Sequence, residues 1–280
     1  VPLTVELTNV VRQYRTGGHT VRALDGITLQ LNGGEFTSIV GPSGAGKSTL
    51  LQLLGALDSP DSGSIRFNGT EIGGMTDEQQ STFRRHQVGF IFQFFNLLPT
   101  LTAWENVALP MLLDGKKLRQ VRRDAVRLLD VVGLGNRIGH RPAELSGGQM
   151  QRVAVARALM MDPPLILADE PTGNLDSATG AAIMELLCRV ARDDGAERAV
   201  VMVTHNLDAA SHTDRVITVQ DGTVKSDVVP VPTPTGGRHS AGVREQPTEI
   251  IPAVRHGAFT SDLLAAHPPR RSGRHSAHRT

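Results

Sequence analysis

A chain of 280 residues, 39% of them apolar, is long enough to close one large or two modest buried cores, which excludes a wholly disordered protein. A net charge of +1 supplies no concentrated basic surface and so argues against nucleic acid as a partner, while a single cysteine, Cys188, excludes a disulfide framework and fits a reducing compartment. No apolar run approaches the roughly 18 residues that span a bilayer, and the first residues lack the basic-then-apolar pattern of a secretory signal, so the chain is not expected to cross a membrane by itself.

Alternating apolar residues predict a strand over residues 3–11 and a second, antiparallel to it, over 27–31 after the turn-like Asp25-Gly26. The apolar run 36–40 stops at Gly41, and leucines at helical spacing follow over 47–57, giving strand, glycine loop, helix. Further strands are expected at 64–68 and 88–92. From Thr102 to about Met161 helix follows helix, with Val121, Ala125, Leu128, Leu129 and Val132 forming a one-sided apolar stripe, and this stretch reads as a separate helical lobe. Unbroken apolar runs at 165–168 and 199–203 predict parallel strands covered on both faces. A hairpin over 216–219 and 223–225 turns at Asp221-Gly222. Cys188, at helical spacing with Ile183, Leu186, Leu187 and Val190, reads as a small buried hydrophobe.

Beyond Val229 the composition shifts to Pro, Arg, His, Ser and Gly, and Gly-Arg-His-Ser-Ala occurs at 237–241 and again at 273–277. From Pro230 onward seven arginines face three acids. Such a segment buries too little apolar surface to offset its ordering entropy, and residues 230–280 are expected to be a disordered tail.

Gly41-Pro42-Ser43-Gly44-Ala45-Gly46-Lys47-Ser48 matches the full P-loop pattern between a buried strand and a helix start. Its glycines let successive N–H groups face the β- and γ-phosphates, the helix N-terminus adds positive partial charge, Lys47 adds a full one, and Ser48 would ligate Mg²⁺. Such a loop needs a carboxylate at the end of a neighbouring strand; Leu165-Ile166-Leu167-Ala168-Asp169 supplies it. Glu170 follows directly, placed to polarise the water that attacks the γ-phosphate. Ser146-Gly147-Gly148 at another helix start is a second set of N–H donors for phosphate.

Leu145-Ser146-Gly147-Gly148-Gln149 resembles the signature motif of ATP-binding-cassette proteins, and the string 142–159 is similar to that family throughout. The resemblance covers residues 3 to 228. It implies an α/β P-loop nucleoside triphosphatase: a RecA-like parallel sheet core with an N-terminal antiparallel β subdomain and an inserted α-helical subdomain near 94–161, the whole cassette spanning 1–229. It implies ATP and Mg²⁺ as ligands, with Gly41 to Thr49 on the phosphates and Ser48, Gln93 and Asp169 at the metal. Glu170, His205, Gln93 and Lys47 would serve catalysis, His205 as the switch histidine on the γ-phosphate and Gln93 as the sensor of metal and attacking water. Tyr14 would stack on adenine, the alternative being a core tyrosine. Gly173-Asn174-Leu175-Asp176 resembles the loop crossing the dimer interface, in a Gly-Asn rather than the commoner Ser-Ala form, and Asn206 stands where an acid is usual. The signature, Ser146 to Gln149, would bind ATP held by a second protomer, so that two composite sites form in a two-fold dimer, homomeric or pseudo-symmetric. The remaining histidines show no metal-ligand arrangement, and no metal beyond Mg²⁺ is expected.

The string 92–107 and Gly173-Asn174-Leu175-Asp176 resemble the branch of lipoprotein-release and macrolide-export ATPases. That implies a separate integral membrane permease of the four-helix export type, with this chain on the cytoplasmic face of the membrane through that partner. A cleft beside Gln93 holding Phe94, Phe95 and Leu97 would receive the permease, unless those residues are lobe core. The rival within the family is a cell-division-type ATPase that signals to a permease-like partner without moving a substrate. No coiled coil or zinc insertion separates P-loop from signature, a second cassette is absent, and so is a guanine-reading Asn-Lys-x-Asp.

Overall fold

A computed structural model of the chain describes residues 3–16, 19–192 and 198–230. The tail expected over 230–280 lies, but for Pro230, outside the described residues. In chain order the elements are β1 (Thr4–Thr16), β2 (His19–Asn32), β3 (Phe36–Val40), α1 (Lys47–Leu54), β4 (Ser62–Phe67), β5 (Thr70–Glu71), α2 (Asp77–Gln87), β6 (Val88–Ile91), α3 (Ala103–Leu113) and α4 (Leu118–Val131). After two 3₁₀ turns come α5 (Gly147–Leu159), β7 (Leu165–Asp169), α6 (Ser177–Ala191), β8 (Ala199–Thr204), α7 (Leu207–Ala210), β9 (Arg215–Gln220) and β10 (Thr223–Val228).

Two sheets result. The antiparallel one runs β2-β1-β4-β5, and the larger one runs β10-β9-β3-β8-β7-β6, parallel except for β10 at its edge. Alternate residues of the central strands serve different cores. Leu165, Leu167, Val201 and Val203 pack with α1 and the antiparallel sheet, whereas Ile166, Ala168, Val200 and Met202 pack with the helices from α3 to α6. Both faces are therefore dry, which is why these strands read as unbroken apolar runs. Parallel strands all end on one side, so the loops after β3, β6, β7 and β8 converge there.

Three expectations change. The first two strands are far longer than the alternation indicated, because their outer halves are half-buried or exposed and carry no apolar alternation. Asp25-Gly26 is accordingly no turn: Val10 pairs with Ile27 and Val11 with Asp25, leaving Gly26, at φ +80°, as the extra residue of a bulge. Helix α2 was not anticipated, since it buries only Phe83 and shows no stripe; its signal was the capping box of Thr76 and Gln79. Cys188 is half-buried, not enclosed, with its thiol facing the His212 carbonyl at 3.5 Å and its pKa pushed up chiefly by burial.

Helix α5 crosses β6 at Gly89, where a Cβ would sit 2.4 Å from the backbone oxygen of Ala158 and 2.7 Å from Ile166 Cδ1. Backbone cannot yield as a side-chain tip can. Gly89→Ala is expected to destabilise the fold by about 1–3 kcal/mol, read as a lower urea midpoint with unchanged slope.

Candidate functional site

The loop after β3 needs glycine at two places for steric reasons. A Cβ on Gly41, φ +156°, would lie 2.0 Å from the Val219 carbonyl oxygen, and one on Gly46, φ +98°, would lie 2.2 Å from that of Ala23. Between them the Ala45 N–H donates to Pro42 O at 3.2 Å, and the Gly222 N–H donates to Ala45 O at 3.2 Å. The loop is thus clamped between both sheets. Helix α1 then starts on Gly46 with no side-chain cap, leaving its first N–H groups to a ligand. Lys47 is 8% exposed, and its ammonium donates to the carbonyls of Gly41 and Pro42, each at 2.8 Å, which folds the lysine back along its own loop.

Asp169 ends β7, and burial first, then the adjacent Glu170 carboxylate, push its carboxyl above the usual range, with Lys47 pulling the other way. Glu170 lies in the left-handed region at φ +46°, which costs a non-glycine residue about 1–2 kcal/mol. Hydrogen bonds hold it there: its N–H donates to Val203 O at 2.9 Å, and its carbonyl accepts from Gly173 N at 3.0 Å. Its carboxylate accepts from Thr204 Oγ1 at 3.1 Å and from the His205 N–H at 3.0 Å, with His205 Nδ1 at 2.7 Å. The twist of this one residue turns the carboxylate towards the end of β8.

These groups share a groove of about 420 Å³. Of the sequence-predicted residues it is lined by Tyr14, Ser43, Gly44, Gly46, Lys47, Ser48, Thr49, Gln93, Asp169, Glu170 and His205. Gly41, Pro42 and Ala45 form the back of the loop rather than its lining. Tyr14 stands half-buried at the groove, its hydroxyl donating to Asp58 at 3.0 Å and Arg12 lying 5.0 Å from its ring centre, so it is not a core tyrosine. Arg12 in turn grips Asp58 through two bonds of 2.9 and 2.8 Å. Asp58 and Thr204 are not singled out by the sequence, and Gly222 is read there only as a hairpin turn; Thr204, a polar residue closing a buried run beside His205, carries a local signal.

Ser146, Gly147, Gly148, Gln149 and Asp176 are absent from that lining. They meet one another instead. Ser146 caps α5, accepting from the Gln149 N–H at 3.3 Å while Gln149 Oε1 accepts from the Ser146 N–H at 3.0 Å. Asp176 caps α6 through Thr179, and those two hydrogen bonds hold its carboxyl below the usual range. A Cβ on Gly148 would fall 2.2 Å from Thr179 Cγ2, so glycine lets the two helix starts touch.

The segment after Gln93 carries two residues at positive φ, Phe95 and Asn96, and Arg157 of α5 donates to both carbonyls at 2.9 and 2.6 Å. Phe94 is 72% exposed, Phe95 half-buried, and Leu97 packs against the core. Beside them a groove of about 290 Å³ is lined by Arg84, Arg85, Phe90, Phe92, Pro110 and Arg157, among others. Phe94, Phe95 and Leu97 are not part of that lining.

A glycine loop clamped between two sheets at a helix start, with a half-buried acid and a second acid at the end of a neighbouring buried strand, defines a P-loop nucleoside triphosphatase. The family model described as ABC transporter matches residues 24–173, and the chain belongs to that ATP-binding-cassette family. It binds ATP and hydrolyses it. It is similar to the macrolide export ATP-binding/permease protein MacB of Chlorobaculum tepidum, 46% identical over 80% of this chain, but spans only 34% of that protein's length. It is also similar to the lipoprotein-releasing system ATP-binding protein LolD of Geobacter metallireducens, 47% identical over 80% of this chain and 98% of that one. Among solved structures it resembles the ATP-binding cassette MJ0796, a dimer in a post-hydrolysis state bound to ADP and Pi, with 42% identity, TM-score 0.74, and 80% and 98% of the two chains covered.

Proposed function

We propose that the chain is the ATPase subunit of a transporter of the lipoprotein-release or macrolide-export type, working as a dimer that drives a separate membrane permease. One observation carries the dimer. The P-loop, Asp169, Glu170 and His205 share a groove, while the second phosphate-binding element, Ser146 to Gln149, lies outside its lining. In this reading the cassette spans 1–229 with its helical subdomain near 94–161, and the signature of one protomer closes over ATP held by its partner.

Within each half, Tyr14 takes the adenine face, the N–H groups of the loop and α1 take the phosphates, and Lys47 leaves its loop carbonyls for phosphate oxygens. Mg²⁺ fits the donors present: a hydroxyl on Ser48, an amide on Gln93, and in Asp169 a half-buried carboxyl whose raised pKa a dication would offset. Bound there, it would neutralise charge on the β- and γ-phosphates. Glu170 orients the attacking water and takes its proton as the water oxygen bonds to the γ-phosphorus and the bond to ADP breaks. His205, hydrogen-bonded to Glu170, holds the γ-phosphate.

No helix among the described residues is long and apolar enough to cross a membrane. In this reading the permease is what holds the chain at the cytoplasmic face of the membrane. The aromatic and guanidinium-lined groove beside Phe94 suits an intracellular segment of that partner. With the permease of the four-helix export type co-purified in detergent or proteoliposomes, ATP turnover should rise several-fold over the free chain, and Phe94→Asp should remove the increase. A turnover indifferent to every such permease would defeat the transport assignment.

A further inference from the structure

Helix α5 begins at Ser146, and one turn further in stands Gln151, whose side chain is fully buried. Its Nε2 donates to the Pro171 carbonyl at 2.7 Å, while its Oε1 is buried without a hydrogen-bond partner. An apolar side chain of the same length would fill this space without burying an unmet acceptor, so the single bond to Pro171 is what the amide supplies. Pro171 directly follows Glu170, the strained residue at φ +46°. The turn is tied to β8 through the bond from Glu170 N–H to Val203 O, and to α5 through Gln151.

We infer that Gln151 is a positioning residue that fixes the orientation of Glu170 and relays the state of the signature helix to it. The inference rests on the composite-site reading. When Ser146 and its neighbours engage nucleotide held by the partner, any shift of α5 along its axis is passed by one hydrogen bond to the acid that acts on this chain's own nucleotide. Arg157, six residues further along the same helix, ties α5 to the segment after Gln93 as well, so α5 contacts both that segment and the turn that carries Glu170. The two sites of the dimer would then fire in concert.

The test is Gln151→Met, which keeps length and apolar volume and lacks the donor. Phosphate release against ATP concentration should show kcat lowered about tenfold, KM for ATP within about twofold, and a Hill coefficient reduced from above one towards one, with the thermal midpoint unchanged. An unchanged kcat overturns the inference, and so does a kcat loss that comes with a lowered thermal midpoint or a matching rise in KM, since that is what a packing role alone would give. Nucleotide-dependent dimerisation of Glu170→Gln is measured alongside by light scattering. Should that parent variant stay monomeric, the composite-site reading and the relay both fall, while the kcat of Gln151→Met still decides the positioning role separately.

Discussion

Glu170→Gln is expected to lower ATP turnover about 10²–10³-fold while leaving ATP binding intact, and to produce a dimer that persists as long as ATP is present. Glutamine keeps one oxygen that can accept from Thr204 Oγ1 or the His205 N–H, so the pocket geometry in which the acid is held by three donors is largely retained. What disappears is the capacity to take a proton. A second effect acts in the same direction on binding: the Glu170 carboxylate is one cause of the raised Asp169 pKa, and its neutralisation returns Asp169 towards the ordinary carboxylate range. With one negative charge fewer beside the phosphates, nucleotide should bind at least as tightly. Turnover is read by phosphate release and assembly by light scattering. Undiminished hydrolysis in this variant would remove Glu170 from the chemistry.

How legible these features were in the sequence depends on whether burial or polarity defines them. The loop from Gly41 to Ser48 could be placed on its strand and helix because β3 is buried at every position and the chain changes character abruptly at a glycine. Asp169 and Glu170 could be placed because β7 is four buried residues followed by an acid. The outer halves of β1 and β2 could not, since neither face of them is fully buried and the alternation that betrays a strand requires one dry face. For the same reason α2, with one buried residue, left only its cap as a trace. The polar links that finish the site, Asp58 under Tyr14, Thr204 on Glu170 and Gln151 on Pro171, join residues 44, 34 and 20 positions apart, and no local pattern announces them. Asn174, bonded to the carbonyl of Gln93 across 81 positions, is another.

Because Ser146 to Gln149 lie outside the lining of the P-loop groove, a mixing experiment separates the composite reading from a self-contained one. Ser146→Arg removes the cap of α5, worth about 1 kcal/mol, and sets a long cation at the surface meant for the partner's nucleotide; its own P-loop groove, which Ser146 does not line, stays whole. Lys47→Ala does the reverse, stripping the lysine from its own groove and leaving its signature intact. Each pure protein should be inactive, for every site in either dimer lacks one element. In the heterodimer one site pairs the intact Lys47 with the intact Ser146, and the other is doubly defective. With random exchange, equal amounts give half heterodimers with one working site of two, so activity should reach at most about a quarter of the parent's. Scanning the mixing ratio at fixed total protein should trace a curve that vanishes at both ends and peaks at equal mixing. Normal turnover by pure Ser146→Arg, or mixtures no more active than their components, would mean that the serine-glycine turn does not act across the interface; a peak below a quarter, with the same shape, is what coupling between the two sites through α5 would give.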